Sequence, residues 1–217
     1  MTLTLWMHPF SSFCQKVLIA LYENGTAFQP RLVRLELPEE RAALAELWPL
    51  ARFPVLQDGD RVIAESSIII EHLDRAHPGP APLVPPDALE LRFMDRVFDL
   101  WVQGPMQAAV ADALAPPDQR SPARVERGRQ DLATTYRWLN TRLSGRDWAA
   151  GAGFSMADCA AAPALFYAHW LQPIPAELPV LAGYFRRLMA RPSVARAVDE
   201  ARPWRHLHPI PPAADLP

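Results

Sequence analysis

Residues 78–87 read Pro-Gly-Pro-Ala-Pro-Leu-Val-Pro-Pro-Asp, with five prolines and one glycine. Proline has a fixed φ and no amide proton, so this run can enter neither a helix interior nor the middle of a sheet. It therefore reads as a linker, and it divides the chain into two parts that fold by different rules. Residues 1–78 alternate short strand patterns with helical ones. Residues 88–217 carry only helical periodicity, punctuated by turn residues. The sequence is thus read as domain 1–78, linker 79–87 and domain 88–217. A length of 217 residues suits two small domains better than one.

The first part begins with Thr-Leu-Thr-Leu-Trp-Met at residues 2–7, a short apolar run of strand formers. After the loop His8-Pro9-Phe10, Ser11 and Ser12 stand before apolar residues at helical spacing, and Gly25 follows them. That is the pattern of a capped helix. A second strand is expected at about 28–37, where Val33, Leu35 and Leu37 alternate with Arg34 and Glu36. Pro30 places it near a sheet edge, or starts its pairing later. Pro38-Glu39-Glu40 opens a short helix with acids in its first turn. The runs 53–56 and 61–64 flank Asp58-Gly59-Asp60, a hairpin signal. Ser66 and Ser67 then read as caps of a helix to about Ala76. The order is β-α-β-α-β-β-α.

Beyond the linker, helices are expected at about 88–114, 122–143, 155–171, 179–190 and 192–201, the first kinked at Gly104-Pro105. After Arg202 the chain is rich in proline and reads as an extended or fraying tail.

Composition removes several function classes. Half the residues are hydrophobic and 21% are charged, so either part can bury a core. A net charge of -2 and a pI near 6.3 give no field that would favour nucleic acid. Cys14 and Cys159, the only cysteines, stand far apart, which fits a reducing, cytoplasmic setting better than a disulfide framework. The apolar run 3–7 is too short for a signal peptide or a membrane span. The six histidines show no convincing ligand spacing, so no metal site is expected. Ser155-x-x-Asp158 reads as a capping device for a buried, alanine-rich helix.

A strand-and-helix half, a proline linker and a helical half together resemble the cytosolic glutathione transferases, with a thioredoxin-like α/β N-terminal domain and an all-α C-terminal domain. The local motifs carry the same resemblance. The segment from Ser11 to Leu21 is similar to the serine-containing active-site segment of the zeta class, as in a serine-type bacterial member. Trp48-Pro49 with Phe53-Pro54-Val55-Leu56 resembles the loop that carries the family's cis-proline. Glu65-Ser66 is similar to its acidic-serine pair, residues 154–158 to its C-terminal capping box, and residues 191–194 to the start of its last helix. One departure is plain: Phe13 stands where the zeta class has cysteine, which puts maleylacetoacetate-type isomerisation in doubt.

The resemblance implies that glutathione is bound as a substrate and needs no metal. Ser11, with Ser12 as the second candidate, would either cap the helix or hydrogen-bond the glutathione thiolate. Lowering a thiol from about 8.5 by about two units needs about 2.7 kcal/mol. One hydrogen bond to a charged group supplies about 1.5–3 kcal/mol, and the helix N-terminus adds to it. Phe53 and Pro54 would present backbone groups to the cysteinyl part of glutathione. Glu65 would pair with the γ-glutamyl ammonium and Ser66 hold its carboxylate. Arg52 either meets the glycyl carboxylate or is solvated. Phe10, Trp101 and Met106 are candidate lining residues for a small hydrophobic electrophile. Cys14 is either a buried thiol or one able to form a mixed disulfide. The expected activity is conjugation, in a cytoplasmic homodimer that engages neither nucleic acid nor membrane. The rivals are a glutathione-dependent isomerase, a Cys14-based reductase and a non-catalytic binding protein of the same fold.

Overall fold

The computed structural model describes residues 2–80 and 82–211. The first part of the chain runs β1 (Leu3–Met7), α1 (Ser12–Glu23), β2 (Gln29–Leu32), α2 (Pro38–Leu47), β3 (Val55–Asp58), β4 (Arg61–Ala64) and α3 (Ser66–Ala76). The strands lie in the order β2-β1-β3-β4. β1 pairs parallel with β2 and antiparallel with β3, and β3 pairs antiparallel with β4. The parallel pair needs a crossover, which α1 provides. The antiparallel β3–β4 pair needs only the two residues Gly59 and Asp60, where Gly59 takes φ 59 at the first loop position.

Period-two alternation assigns the two faces of this sheet. Leu3, Leu5 and Met7 of β1 are buried, with the apolar side of α1 buried as well. Trp6, pointing the other way, packs in a cluster built on Val33, Leu44 of α2 and Val55. Its indole Nε1 donates to Gln57 Oε1 at 2.5 Å.

The second strand is shorter than the alternation predicts. Its pairing covers Gln29–Leu32, and Val33 N–H makes one further bond to the Met7 carbonyl at 2.9 Å. Beyond that point Glu40 captures the Arg34 backbone N–H at 2.6 Å and its guanidinium Nε at 2.9 Å. A backbone group held by a side chain cannot serve a ladder. Pro30 sits in this edge strand, opposite Leu5.

After the proline run come α4 (Leu89–Val97), a π-helical turn (Phe98–Gln103), α5 (Gly104–Leu114), α6 (Pro122–Arg142), α7 (Met156–Leu171), α8 (Pro179–Ala190), α9 (Pro192–Ala201) and a 3-10 segment (Arg202–Leu207). The predicted kink at Gly104-Pro105 is a widened turn ahead of the proline, which has no N–H to return to the carbonyl four residues back. The expected extended tail is helical through Leu207, and its end beyond residue 211 lies outside the described residues.

The chain divides into two compact units. One holds the residues up to Asp87 with Pro192–Arg202; the other holds Ala88–Arg191 with the chain from Pro203. The last helix therefore belongs with the strand-bearing unit, whereas the sequence reading places it in the helical domain 88–217. Its apolar positions Val194, Ala197, Val198 and Ala201 are buried, and α1 supplies polar partners. Tyr22 donates to Glu200 Oε2 at 2.5 Å, Ser193 bonds Glu23, and Arg196 lies over the Tyr22 ring at 3.9 Å. These partners are more than 160 residues apart, so no local pattern announces them.

α7 is buried along its whole length. A helix apolar on every side belongs at the centre of a bundle. Its start is fixed by Asp158, whose carboxylate accepts from Ala149 N at 2.8 Å, Ser155 N and Oγ at 2.9 Å, and Tyr184 Oη at 2.7 Å. Burial pushes this carboxyl up, and the four donors pull it back. A carboxylate that satisfies four buried donors cannot be deleted cheaply. Asp158→Ala is expected to lower stability by about 3 kcal/mol or more, and Tyr184→Phe by about 1 kcal/mol. Urea unfolding monitored by circular dichroism checks this. A midpoint for Asp158→Ala equal to wild type would show that the network contributes nothing.

Candidate functional site

Strand register brings three chain segments to one end of the sheet. β1 ends at Met7, and residues 8–10 lead from it into α1. Because Trp6 lies opposite Val55, Phe53 and Pro54 enter β3 beside that same end. Val55 in turn pairs with Ala64, the last residue of β4, so Glu65 and Ser66 emerge there too. Two helix N-termini, those of α1 and α3, start at this end. Each adds positive potential from its unpaired amide groups.

Ser11 is the N-cap of α1, with φ -80 and ψ 124, and its Oγ accepts from the Cys14 amide at 3.3 Å. A hydroxyl that accepts a cap bond keeps its own proton to donate. Ser11 is half-buried, whereas Ser12, the first helical residue, is 5% exposed. Of the two candidates, Ser11 is the one with surface to offer.

Cys14 is fully buried, and burial pushes its thiol up to about 12, against hydrogen bonding at Ser11 and the His8 backbone that pulls it down. Such a thiol holds almost no thiolate near neutral pH.

The Phe53-Pro54 peptide is cis, with Pro54 buried and Phe53 half-buried. His8 stacks on the Phe53 ring at 6.2 Å, and its Nδ1 accepts from Phe10 N at 3.2 Å. Burial holds the His8 imidazole below its usual range, so the ring is neutral at neutral pH despite Glu36. Arg52 is exposed.

Glu65 occupies the N-cap position of α3 with φ 69 and ψ 118, a region that L-residues seldom adopt. The sequence reading makes Ser66 a cap; it is instead the first helical residue, 6% exposed. A strained, exposed carboxylate beside a helix start is the kind of feature that concentrates at ligand sites.

Two contributors were not singled out from the sequence for this site. Lys16, the only lysine, is 1% exposed, and its Nζ donates to Ser67 Oγ at 2.8 Å, tying α1 to the first turn of α3. Gln15, equally buried, donates from Nε2 to the Pro9 carbonyl at 3.0 Å and fixes the loop ahead of α1. The available signal was two adjacent long polar residues on a helix that is otherwise apolar.

The other predicted residues fall differently. Phe10 is half-buried in the first unit. Trp101 and Met106 belong to the second, where Trp101 is 60% exposed and Met106 only 2%. Met106 thus has little surface left for a ligand. Elsewhere in the first unit Asp58, His72 and His77 converge, although the spacing of the histidines suggests no metal site.

Residues 5–81 match the family model for the glutathione S-transferase N-terminal domain, and residues 122–187 match that for the C-terminal domain. The stringent starvation protein A homolog of Haemophilus influenzae is 27% identical over 210 residues, covering 93% of this chain and 92% of that protein. The FtsZ-localized protein A of Caulobacter vibrioides is 29% identical over 206 residues, covering 87% of each. Among solved structures, a glutathione S-transferase from Methylobacillus flagellatus with glutathione bound aligns with a TM-score of 0.82 and 26% identity, over 90% of this chain and 98% of that one. Between them the two domain matches span most of the chain, and the protein belongs to the glutathione S-transferase family.

Proposed function

We propose that this protein is a serine-type, zeta-like glutathione transferase that activates the thiol of glutathione through Ser11. The observation that carries the reading is a half-buried hydroxyl at the N-terminus of α1 that holds its cap bond as an acceptor. On binding, its proton would turn from the buried Cys14 sulfur to the glutathione thiolate. The thiol gives its own proton to solvent. The sulfur electron pair then forms the new S–C bond, and the electrophile's leaving group departs with the electrons of the broken bond. Proximity and thiolate stabilisation supply the rate.

The rest of the site suits the rest of the ligand. Glu65 faces the γ-glutamyl ammonium. Ser66 and the amides of the first turn of α3 take the neighbouring carboxylate. Phe53 offers its backbone N–H and C=O to the cysteinyl unit, and exposed Arg52 is in reach of the glycyl end. Phe10 adds apolar surface next to Ser11 for a small hydrophobic electrophile. The solved Methylobacillus flagellatus relative with glutathione bound supports this ligand. The proposal extends to a cytoplasmic homodimer. Exposed Leu89, Phe93, Leu100 and Trp101 in the second unit support a second copy as partner.

A second reading is a glutathione-binding protein without turnover. Two relatives that match over most of their length are named for starvation and for FtsZ localisation rather than for a transferase, and this favours it.

An ultraviolet thiolate difference spectrum, with glutathione titrated onto wild type and Ser11→Ala across pH, separates the readings. Wild type is expected to bind and lower the thiol pKa. Ser11→Ala is expected to bind within a few-fold, lose the shift, and lose about 10- to 100-fold in conjugation rate at neutral pH. Binding without a shift in wild type supports the second reading, and no binding removes both.

Because Cys14 is buried and its thiol raised to about 12, Cys14→Ser is expected to keep conjugation within about threefold. Loss of activity with a folded protein would instead establish a thiol mechanism. The lowered pKa of His8 has a sign that can be tested as well. A depressed imidazole is neutral above its folded pKa, so His8 adds no positive charge to the site at neutral pH. His8→Asn is therefore expected to leave the thiol pKa of bound glutathione unchanged. A rise of one unit or more in that spectrum would show that an imidazolium stabilises the sulfur.

A further inference from the structure

At the opposite end of the sheet from Ser11, three side chains converge on one point. Asp58 closes β3, where it pairs with Leu3 on one side and Arg61 on the other. α3 runs back along the sheet and brings His72, in its last turns, and its C-cap His77 to that end. His72 Nε2 lies 2.9 Å and His77 Nε2 2.8 Å from the same carboxylate oxygen, Asp58 Oδ2. The three donor atoms all lie within 4.8 Å of one another. The imidazole rings meet edge-on, with centroids 6.0 Å apart at 63°.

We propose that Asp58, His72 and His77 form a binding site for one divalent first-row transition ion, with zinc the best geometric fit. Two imidazole nitrogens and one carboxylate oxygen make a borderline donor set that suits such ions. Magnesium and calcium select oxygen ligands instead. A tetrahedral ion bonded at about 2.0–2.1 Å spaces its ligand atoms about 3.3 Å apart. To reach this the two Nε2–Oδ2 contacts open by about half an ångström, and the two Nε2 atoms, within 4.8 Å of one another, settle to the same spacing.

The protonation states also fit. Asp58 Oδ2 receives both imidazole nitrogens, and a carboxylate oxygen in that place only accepts. Each Nε2 therefore carries the hydrogen in the metal-free state. On binding, each ring moves that hydrogen to Nδ1 and turns a bare Nε2 lone pair to the metal, with no net proton released from a neutral ring.

Access and charge set the strength. The side chains of Asp58, His72 and His77 are 14%, 16% and 31% exposed, so an ion can enter and a water can take the fourth position. His72 also borders a cavity of about 460 Å³ whose lining includes Arg61, Glu71 and Arg75. Arg75 is paired with Glu71 at 3.0 Å, which offsets part of its repulsion for a cation. The bound ion would clip the β3–β4 hairpin to the end of α3, far from the proposed thiol site and independent of it.

Metal-free full-length protein titrated with cobalt(II), at a pH above the imidazole range, tests the proposal through the visible d–d bands. One equivalent is expected to give an intense tetrahedral spectrum without thiolate charge-transfer bands, since both cysteines are buried. Zinc(II) is expected to displace cobalt and to raise the melting temperature. His72→Gln, His77→Gln and Asp58→Asn should each weaken binding at least tenfold and abolish the thermal shift. His77 caps a helix and is partly exposed, so His77→Gln serves alone if the other variants do not fold. No saturable spectrum in wild type overturns the proposal, as does wild-type binding in folded His77→Gln. The second result would mean that other histidines bind the ion and that the cluster is only a hydrogen-bonded tether.

Discussion

β1 is paired on both sides, and that constraint organises the whole strand-bearing unit. Its parallel neighbour forces a crossover helix, and its antiparallel neighbour runs in the opposite direction. α1 must therefore start where β1 ends. β3 must also begin at that end, and β4 must finish there. The Ser11 cap, the Phe53-Pro54 peptide and the Glu65-Ser66 corner come together because of strand direction, and the Lys16–Ser67 bond and the His8–Phe53 stack then hold them. A slip of one residue between β1 and β3 would turn Leu3, Leu5 and Met7 outward and move Phe53 away from His8. Burial of these three side chains resists that slip, so packing and site geometry rest on the same register.

The helical unit is organised by a different kind of constraint. α7 is apolar on all sides and carries Pro163 in its interior, at a cost of about 3 kcal/mol in an isolated helix. Packing around it has to offset that cost, and the Asp158 network fixes where the helix begins. The network recruits Ala149 from the preceding turn and Tyr184 from α8, so it sets three segments at once. Asn140 does a smaller version of the same task, accepting from Val180 N and Leu181 N at the start of α8. Asn140 thereby satisfies amides that the start of α8 leaves unpaired.

These differences explain what was legible in the sequence. The proline run, the Gly59-Asp60 turn, the serine at the head of α1 and the capping box before α7 are local devices. Each acts within a few residues, so the element order follows from them. The family resemblance added the cis peptide at Pro54, which spacing alone does not reveal. Features decided across long separations stayed hidden. Val33, Leu35 and Leu37 alternate as a strand would, yet Glu40 holds the Arg34 amide and ends the pairing. The last helix has an apolar face that would suit either unit; Tyr22 and Glu23 decide which. Lys16 meets its partner Ser67 only when α3 packs against α1. Asp58, His72 and His77 have no metal-site spacing, and only the return of α3 along the sheet makes them neighbours.

The unit thus separates two kinds of chemistry along one sheet. At the end where helices start, amide dipoles and the buried Lys16 favour negative charge, and the exposed Glu65 carboxylate stands beside them as an anion. At the other end α3 finishes, and its unpaired carbonyls favour positive charge. There Asp58 already draws two imidazoles onto one oxygen. Reversing the strand directions would exchange these ends and put helix C-termini where the N-termini of α1 and α3 now lie. Helix polarity therefore dictates which end can hold a sulfur anion and which can hold a cation, before any particular side chain is chosen.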